Sequence, residues 1–171
     1  MGIIVSSVLG IFNLAISSLR VSSTVTDQFI ATNLAAEGLE VTKNILDNNV
    51  TVGDKSWNAG FSDPRCFEVQ YNTLSEEIYN LSKPECDSAE ETFNDKNARF
   101  LRANTLTTGL YDYDDQGETT IFKRWVQTTP VSGSDLKIRA IATVAWKDRK
   151  NPDRLQTSQI ATDFIGWRSE K

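Results

Sequence analysis

The feature that most constrains this chain is an uncharged apolar run that passes, without a break, into an amphipathic one. Met1 to Leu19 carry no charge, and Arg20 is the first ionised side chain. Nineteen residues rising ~1.5 Å each span roughly 28 Å as a helix, close to a bilayer core. The run is not strongly greasy, because Gly2, Ser6, Ser7, Gly10, Asn13, Ser17 and Ser18 interrupt it. Small and polar residues of this kind suit helix-to-helix contact better than bare lipid. Then Val25, Phe29, Ala36 and Leu39, with Ile30, Leu34, Val41 and Ile45, recur at helical spacing. Asp27, Gln28, Glu37, Glu40, Lys43 and Asp47 take other faces. No proline precedes Pro64, and breakers gather only at Asn48, Asn49 and Gly53. Residues 2–49 therefore read as one helix, with Gly10 as the one place for an interruption.

That helix is too long for its protein. Some 48 residues give roughly 70 Å. The other ~120 residues pack into a globule with a radius of gyration of about 14 Å. The overshooting half is the apolar one, so it must be buried in a membrane, against copies of itself, or in each in turn. Its surface is Ile3, Ile4, Val8, Leu9, Ile11, Phe12, Leu14, Ile16 and Leu19. A cleaved signal peptide is a poor fit: no Lys or Arg precedes the run, and the helical pattern continues into Ala31, Ala35 and Ala36. The expected organisation is a protruding helix over residues 1–24 and a head over residues 25–171.

Residues 53–107 are loop-rich, although Phe67, Val69 and Tyr71 alternate like a short strand and Leu74, Ile78 and Leu81 have helical spacing. The stretch LYDY, the turn DDQG and ETTIFKRWVQTT read as a hairpin. In LKIRAIATVAW, Leu136, Ile138, Ala140, Ala142, Val144 and Trp146 point one way. Lys137, Arg139, Thr143 and Lys147 point the other, as in a half-buried antiparallel strand. KDRKNPDR makes a polar turn around Asn151-Pro152, and Leu155 to Trp167 supply the last strand. The expected fold class is α+β. The C-terminal half of the long helix packs on an antiparallel sheet of three to four strands within residues 108–168.

Bulk chemistry excludes several functions. A net charge of -5 is the wrong sign for a nucleic-acid binder. The absence of histidine removes the commonest general base and the commonest zinc ligand, and with them any Ser/His/Asp set. Cys66 and Cys86 fit no zinc or CxxC spacing. In an oxidising compartment they would close a loop contributing roughly 3 kcal/mol; otherwise they are two unrelated buried thiols.

The stretch SSLRVSSTVTDQFIATNLAAEGLEVTKNIL resembles the N-terminal helix of bacterial type IV pilins and minor pilins, with AAEGLEV its most specific part. Phe122-Lys123-Arg124-Trp125, Val144-Ala145-Trp146 and Phe164-Ile165-Gly166-Trp167 also look like that group. The resemblance implies a lollipop: a long helix half embedded in a sheet. Its free half anchors the subunit in the inner membrane and then packs with its neighbours in a filament core. It also implies a basic leader and a Glu at the fifth mature position. Neither occurs here, so processing and Glu-mediated registration are carried onto no residue of this chain.

Other candidates are weaker. Asp112, Asp114 and Asp115, with Gly117 and Glu118, resemble a calcium loop, but Lys123 stands where an EF-hand needs its bidentate Glu, so a solvated turn is expected. Lys147, Arg149, Lys150 and Arg154 form a basic tip, read as a polar turn. Asn49-Val50-Thr51 and Asn80-Leu81-Ser82 match the glycosylation pattern, with modification not expected. No cofactor, no specific nucleic acid and no catalysis are expected. The expectation is a structural subunit of a type IV pilus, partnered by its own copies, the inner membrane and the assembly machinery. It would sit first in that membrane and then in a surface filament. The alternatives are a minor pilin, a type II secretion pseudopilin, or a single-pass membrane-anchored binding module facing outward. Gly10 and the Ser6-Ser7 and Ser17-Ser18 pairs would let the helix unwind locally and make the fibre extensible.

Overall fold

A computed structural model of the chain describes residues 2–51, 56–71, 78–81, 86, 88–104, 110–114, 117–132, 137–149 and 151–166, with side chains at all of these except 2–7, 20, 79 and 80. Helix α1 runs from Gly2–Thr51, two residues beyond the expected end. Its backbone is helical through Gly10, where an added Cβ would meet nothing within 4 Å. The contacts divide the chain into two units, Met1–Ile30 and Ala31–Lys171.

The second unit is α+β, as expected, but its sheet is larger. It has seven antiparallel strands: β1 (Arg65–Glu68), β2 (Tyr79–Asn80), β3 (Phe100–Asn104), β4 (Leu110–Asp112), β5 (Glu118–Pro130), β6 (Lys137–Lys147) and β7 (Leu155–Ile165). A short helix, α2 (Ala89–Asn94), precedes β3. Strands β5, β6 and β7 form a regular meander, in register from Phe122↔Trp146 to Pro130↔Ile138 and from Lys137↔Ile165 to Lys147↔Leu155. The other edge of β5 is shared. Strand β3 pairs with its first part (Phe100↔Lys123, Ala103↔Glu118) and β1 with its second (Phe67↔Val126, Arg65↔Thr128). Strand β1 overlaps the expected strand at Phe67 and β4 the expected LYDY strand; β2 and β3, two and five residues long, are additional and too short to show a clear period of two. Tyr79 and Asn80, inside the stretch with helical spacing, pair with β1 instead; Leu74 lies outside the described residues.

The expected hairpin between LYDY and ETTIF is also corrected. Strand β4 pairs with β3, and β3 lies between β4 and β5. Gly117 shows why: a Cβ there would sit 3.0 Å from the Ala103 carbonyl, and its own carbonyl accepts from Arg102 Nη1 at 3.0 Å. The glycine permits the chain to back onto β3, rather than closing a two-strand turn.

Two apolar layers flank the sheet. On one face, Ala31, Leu34, Ala35, Leu39, Val41 and Ile45 of α1 are buried, along with Val126, Ile138, Ala140, Ala142 and Val144 of the sheet. Gly38 sets the approach. A Cβ there would lie 3.2 Å from Arg124 Cδ, 3.4 Å from Val126 Cγ2 and 3.6 Å from Ala142 Cβ. On the other face, Cys66, Leu81, Phe93, Ala98, Trp125 and Ala145 form a second cluster, with Cys86, Ala89 and Leu155 packed against it. Cys66 and Cys86 are joined by a disulfide. Strand β6 is therefore not half-buried: Thr143, expected to face solvent, is buried and accepts from Gln159 Nε2 at 3.1 Å.

Helix α2 begins with a capping box. Ser88 Oγ accepts from the Glu91 N–H, and Glu91 Oε2 accepts from the Ser88 N–H. The end of α1 is tied by Asn49, whose Nδ2 donates to the carbonyls of Trp57 (3.3 Å) and Ala59 (2.9 Å). Gly60, at φ 89°, turns the chain so that Phe61 packs fully buried on Phe67, ring centres 5.5 Å apart.

Candidate assembly helix and the charged centre of the head

The described part of the first unit is helix alone, and most of its described large apolar side chains are bare. Val8, Leu9, Ile11, Phe12, Leu14 and Leu19 are 59–73% exposed, and Ile16 is half-buried. Ile3 and Ile4 are helical in backbone, with side chains outside the described residues. Val25 and Phe29, read with the amphipathic half, are also exposed, and so is Val21. The helix is long and apolar enough to cross a membrane.

The placement of these residues matters more than their number. At ~100° per residue, Val8, Phe12 and Leu19 lie on one side of the helix, while Leu14, Val21 and Val25 lie on nearly the opposite one. A helix lying on one sheet shows one apolar stripe; one apolar on opposite sides needs an apolar environment on both, from packed neighbours or from lipid. The second side is continuous. Ile11, Leu14, Val21, Val25 and Phe29 form one ridge, which runs from the uncharged segment into a stretch holding Ser22, Ser23, Thr24, Thr26, Asp27 and Gln28. Val21, Val25 and Phe29 were legible as an i, i+4, i+8 pattern, and only their polar surroundings hid them.

In the second unit, two of the sequence motifs meet. Arg124 is fully buried beneath the Glu37-Gly38 step of α1. Its Nη1 donates to the Leu34 carbonyl at 3.0 Å and lies 3.2 Å from Glu37 Oε1; its Nη2 donates to the Val69 carbonyl at 2.6 Å. The guanidinium thus fastens helix, sheet and the segment after β1. The carbonyl of Arg124 in turn accepts from Tyr113 Oη at 3.0 Å, where β5 passes from one edge partner to the next. Burial pushes the Tyr113 phenol well above its ordinary range.

Sequence reasoning missed a second charged group. Glu68 is buried, and both its oxygens accept from Arg99: Oε1 from the backbone N–H at 2.6 Å, Oε2 from Nε at 2.7 Å. The Arg99 guanidinium also lies 4.4 Å over the Tyr113 ring. Burial raises the Glu68 carboxyl above its ordinary range, against the pull of Arg99. Nothing in RCFE marks that glutamate as buried, because its partner lies 31 residues away.

The remaining candidates fall in separate places. Asp112 is fully buried; its Oδ1 accepts from the Asp114 N–H at 3.1 Å and its Oδ2 from Asn104 Nδ2 at 3.4 Å. Asp114 is exposed, Asp115 lies outside the described residues, and no cluster of three His, Cys, Asp or Glu that could hold a metal occurs among the described residues. Lys147, Arg149 and Arg154 are exposed at the β6–β7 turn, closed by Asp148 N–H to the Arg154 carbonyl; Lys150 lies outside the described residues. Asn49 of the first sequon is buried with its amide engaged, whereas the Asn80 side chain lies outside the described residues. Compared with known proteins, the chain matches no family model, no curated sequence and no solved structure.

Proposed function

We propose that the chain is a structural subunit of a type IV pilus-like filament, assembled through the first thirty residues of α1. The observation that carries this reading is the ridge Ile11, Leu14, Val21, Val25 and Phe29. A bilayer accounts for bare apolar side chains between Val8 and Leu19. It does not account for Val21, Val25 and Phe29. They lie beyond Arg20, and a lipid-facing span carried on to Phe29 would have to hold both Arg20 and Asp27. Sister helices account for both parts with one surface. Burying the three at roughly 1.5–3 kcal/mol each gives about 5–9 kcal/mol gross per subunit, before the cost of association. A contact repeated by rotation and rise does not close, so it makes a fibre.

In this reading the apolar segment rests in the inner membrane before assembly and leaves it for the filament core. The disulfide agrees with a head that folds in an oxidising compartment. A minor pilin or a secretion pseudopilin would use the same surface. A membrane-anchored binding module would not need the ridge beyond Arg20. Electron microscopy of fibres sheared from cells, with mass spectrometry of their subunits, tests the reading. Recovery of this chain as a repeating fibre component is expected, and its retention in the membrane without fibres overturns the proposal.

A further inference from the structure

The strongest feature that assembly leaves unused is a groove of about 660 Å³ between α2, β3 and the adjoining ends of β5 and β6. Its floor holds Lys123, only 8% exposed, whose Nζ donates to the Phe93 carbonyl at 2.8 Å. The ammonium lies 5.0 Å from the Phe93 ring centre and 4.7 Å from that of Phe100. Lys96 and Lys147, both exposed, line the same groove. None of the three ammoniums forms an ion pair among the described residues. The one carboxylate in the lining, Asp95, accepts from the Asn97 N–H at 2.8 Å. In a chain of net charge -5, three lysines against one lining carboxylate around one concavity are a local reversal of sign.

We propose that this groove binds a small anionic ligand with a flat apolar body: its phosphate or carboxylate meets Lys96, Lys123 and Lys147, and its body lies against Phe93 and Phe100. A buried ammonium held by a carbonyl and two aromatic faces, with Glu68 and Asp95 nearby but neither in ion-pair contact with it, is incompletely neutralised, and an incoming anion adds to that compensation. Burial holds the Lys123 ammonium below the ordinary lysine range, while Glu68 and Asp95 draw it back up. The volume falls within the size of small-molecule sites. Phe100 is 41% exposed, which leaves ring surface for a flat group.

The test is titration of the full chain, in uncharged detergent, with phenyl phosphate, followed by amide NMR shifts. Saturable shifts confined to residues 93–100, 119–123 and the neighbourhood of Lys147 are expected, with inorganic phosphate binding more weakly than phenyl phosphate. Lys96→Gln with Lys147→Gln, two exposed changes that leave the core intact, weakens binding at least about tenfold, the least expected from losing charge-assisted hydrogen bonds. Lys123→Met abolishes it. Shifts that grow without saturation and are reproduced by sodium chloride overturn the proposal, as does unchanged affinity in the double variant. Equal affinity for inorganic and phenyl phosphate removes the aromatic part of the site. Tighter binding of an oligothymidine at the same residues would make this a nucleic-acid surface instead.

Discussion

Arg124 is the residue on which the head turns. It is a fully buried charge whose hydrogen bonds go mainly to backbone carbonyls of Leu34 and Val69, with Glu37 as its counter-ion. Its Nε donates to nothing among the described residues, so the site has little to spare. Arg124→Ala strands Glu37 and both carbonyls. A loss of about 3–5 kcal/mol in chemical denaturation of the head is expected, and a loss under 1 kcal/mol would show that the clamp carries no stability. Gly38→Val, which pushes methyl groups into Arg124 and Val126, is expected to cost about 1–3 kcal/mol by the same measurement. Glu68 acts with opposite sign. Its folded pKa is raised from 4.5, so folding favours its protonated form. Stability from this group is therefore lost as pH rises from about 4.5 through the raised folded value, and it is flat below both. Glu68→Gln does not titrate. The stability of the natural chain relative to this variant should fall as pH rises across that window, measured by urea midpoints. A difference independent of pH would rule out the burial of an ionising Glu68.

At the scale of elements, legibility followed length. Helix α1 and strands β5, β6 and β7 run 11 residues or more, and their periodicity was plain. The shorter strands owe their form to partners distant in sequence, as β1 does to β5, and local pattern holds no record of that. The hairpin misreading has the same cause: Gly117 marks a close backbone approach, yet its sequence context is that of an ordinary turn. The half-buried reading of β6 failed because the second apolar layer is contributed by residues 66–98, where irregular chain conceals Phe93, Ala98 and the cystine. One missed element was readable: Ser88-Ala89-Glu90-Glu91 is a capping box, and α2 begins there. Because that layer draws together residues distant in sequence, its cross-link bears on its stability. Cys66→Ser with Cys86→Ser is expected to cost roughly 3 kcal/mol and to raise hydrogen exchange first in α2 and β2. Exchange rising instead in β6 and β7 would mean that the cystine braces the meander.

For the whole molecule, the discriminating question is what covers the two apolar sides of the first thirty residues. Lipid and sister helices would both cover Val8, Phe12 and Leu19, so fibre loss on substitution there discriminates only where membrane retention is unchanged. Val21, Val25 and Phe29 do separate them. They lie past Arg20, the first charged residue of the chain, and they are nonetheless bare. A chain carrying Val21→Ser, Val25→Ser and Phe29→Ser keeps its uncharged segment and so should fractionate with membranes like the natural chain. It should also keep the head's circular dichroism and melting temperature, because these side chains make up no part of the buried core. What it loses is the lower half of the ridge. If sister helices pack along Ile11 to Phe29, fibre yield should drop at least tenfold, a change of about 1.4 kcal/mol per contact against a gross apolar term several times larger. If the helix is only an anchor, the natural chain and the variant both stay in the membrane without fibres and the filament reading falls; unchanged fibre yield in the variant would instead remove this ridge from the contact. The reciprocal variant, Val8→Ser with Phe12→Ser, reports on the opposite side. Loss of fibres there with normal membrane retention would show that the helix is enclosed by neighbours on both sides, as a central strand of a bundle must be.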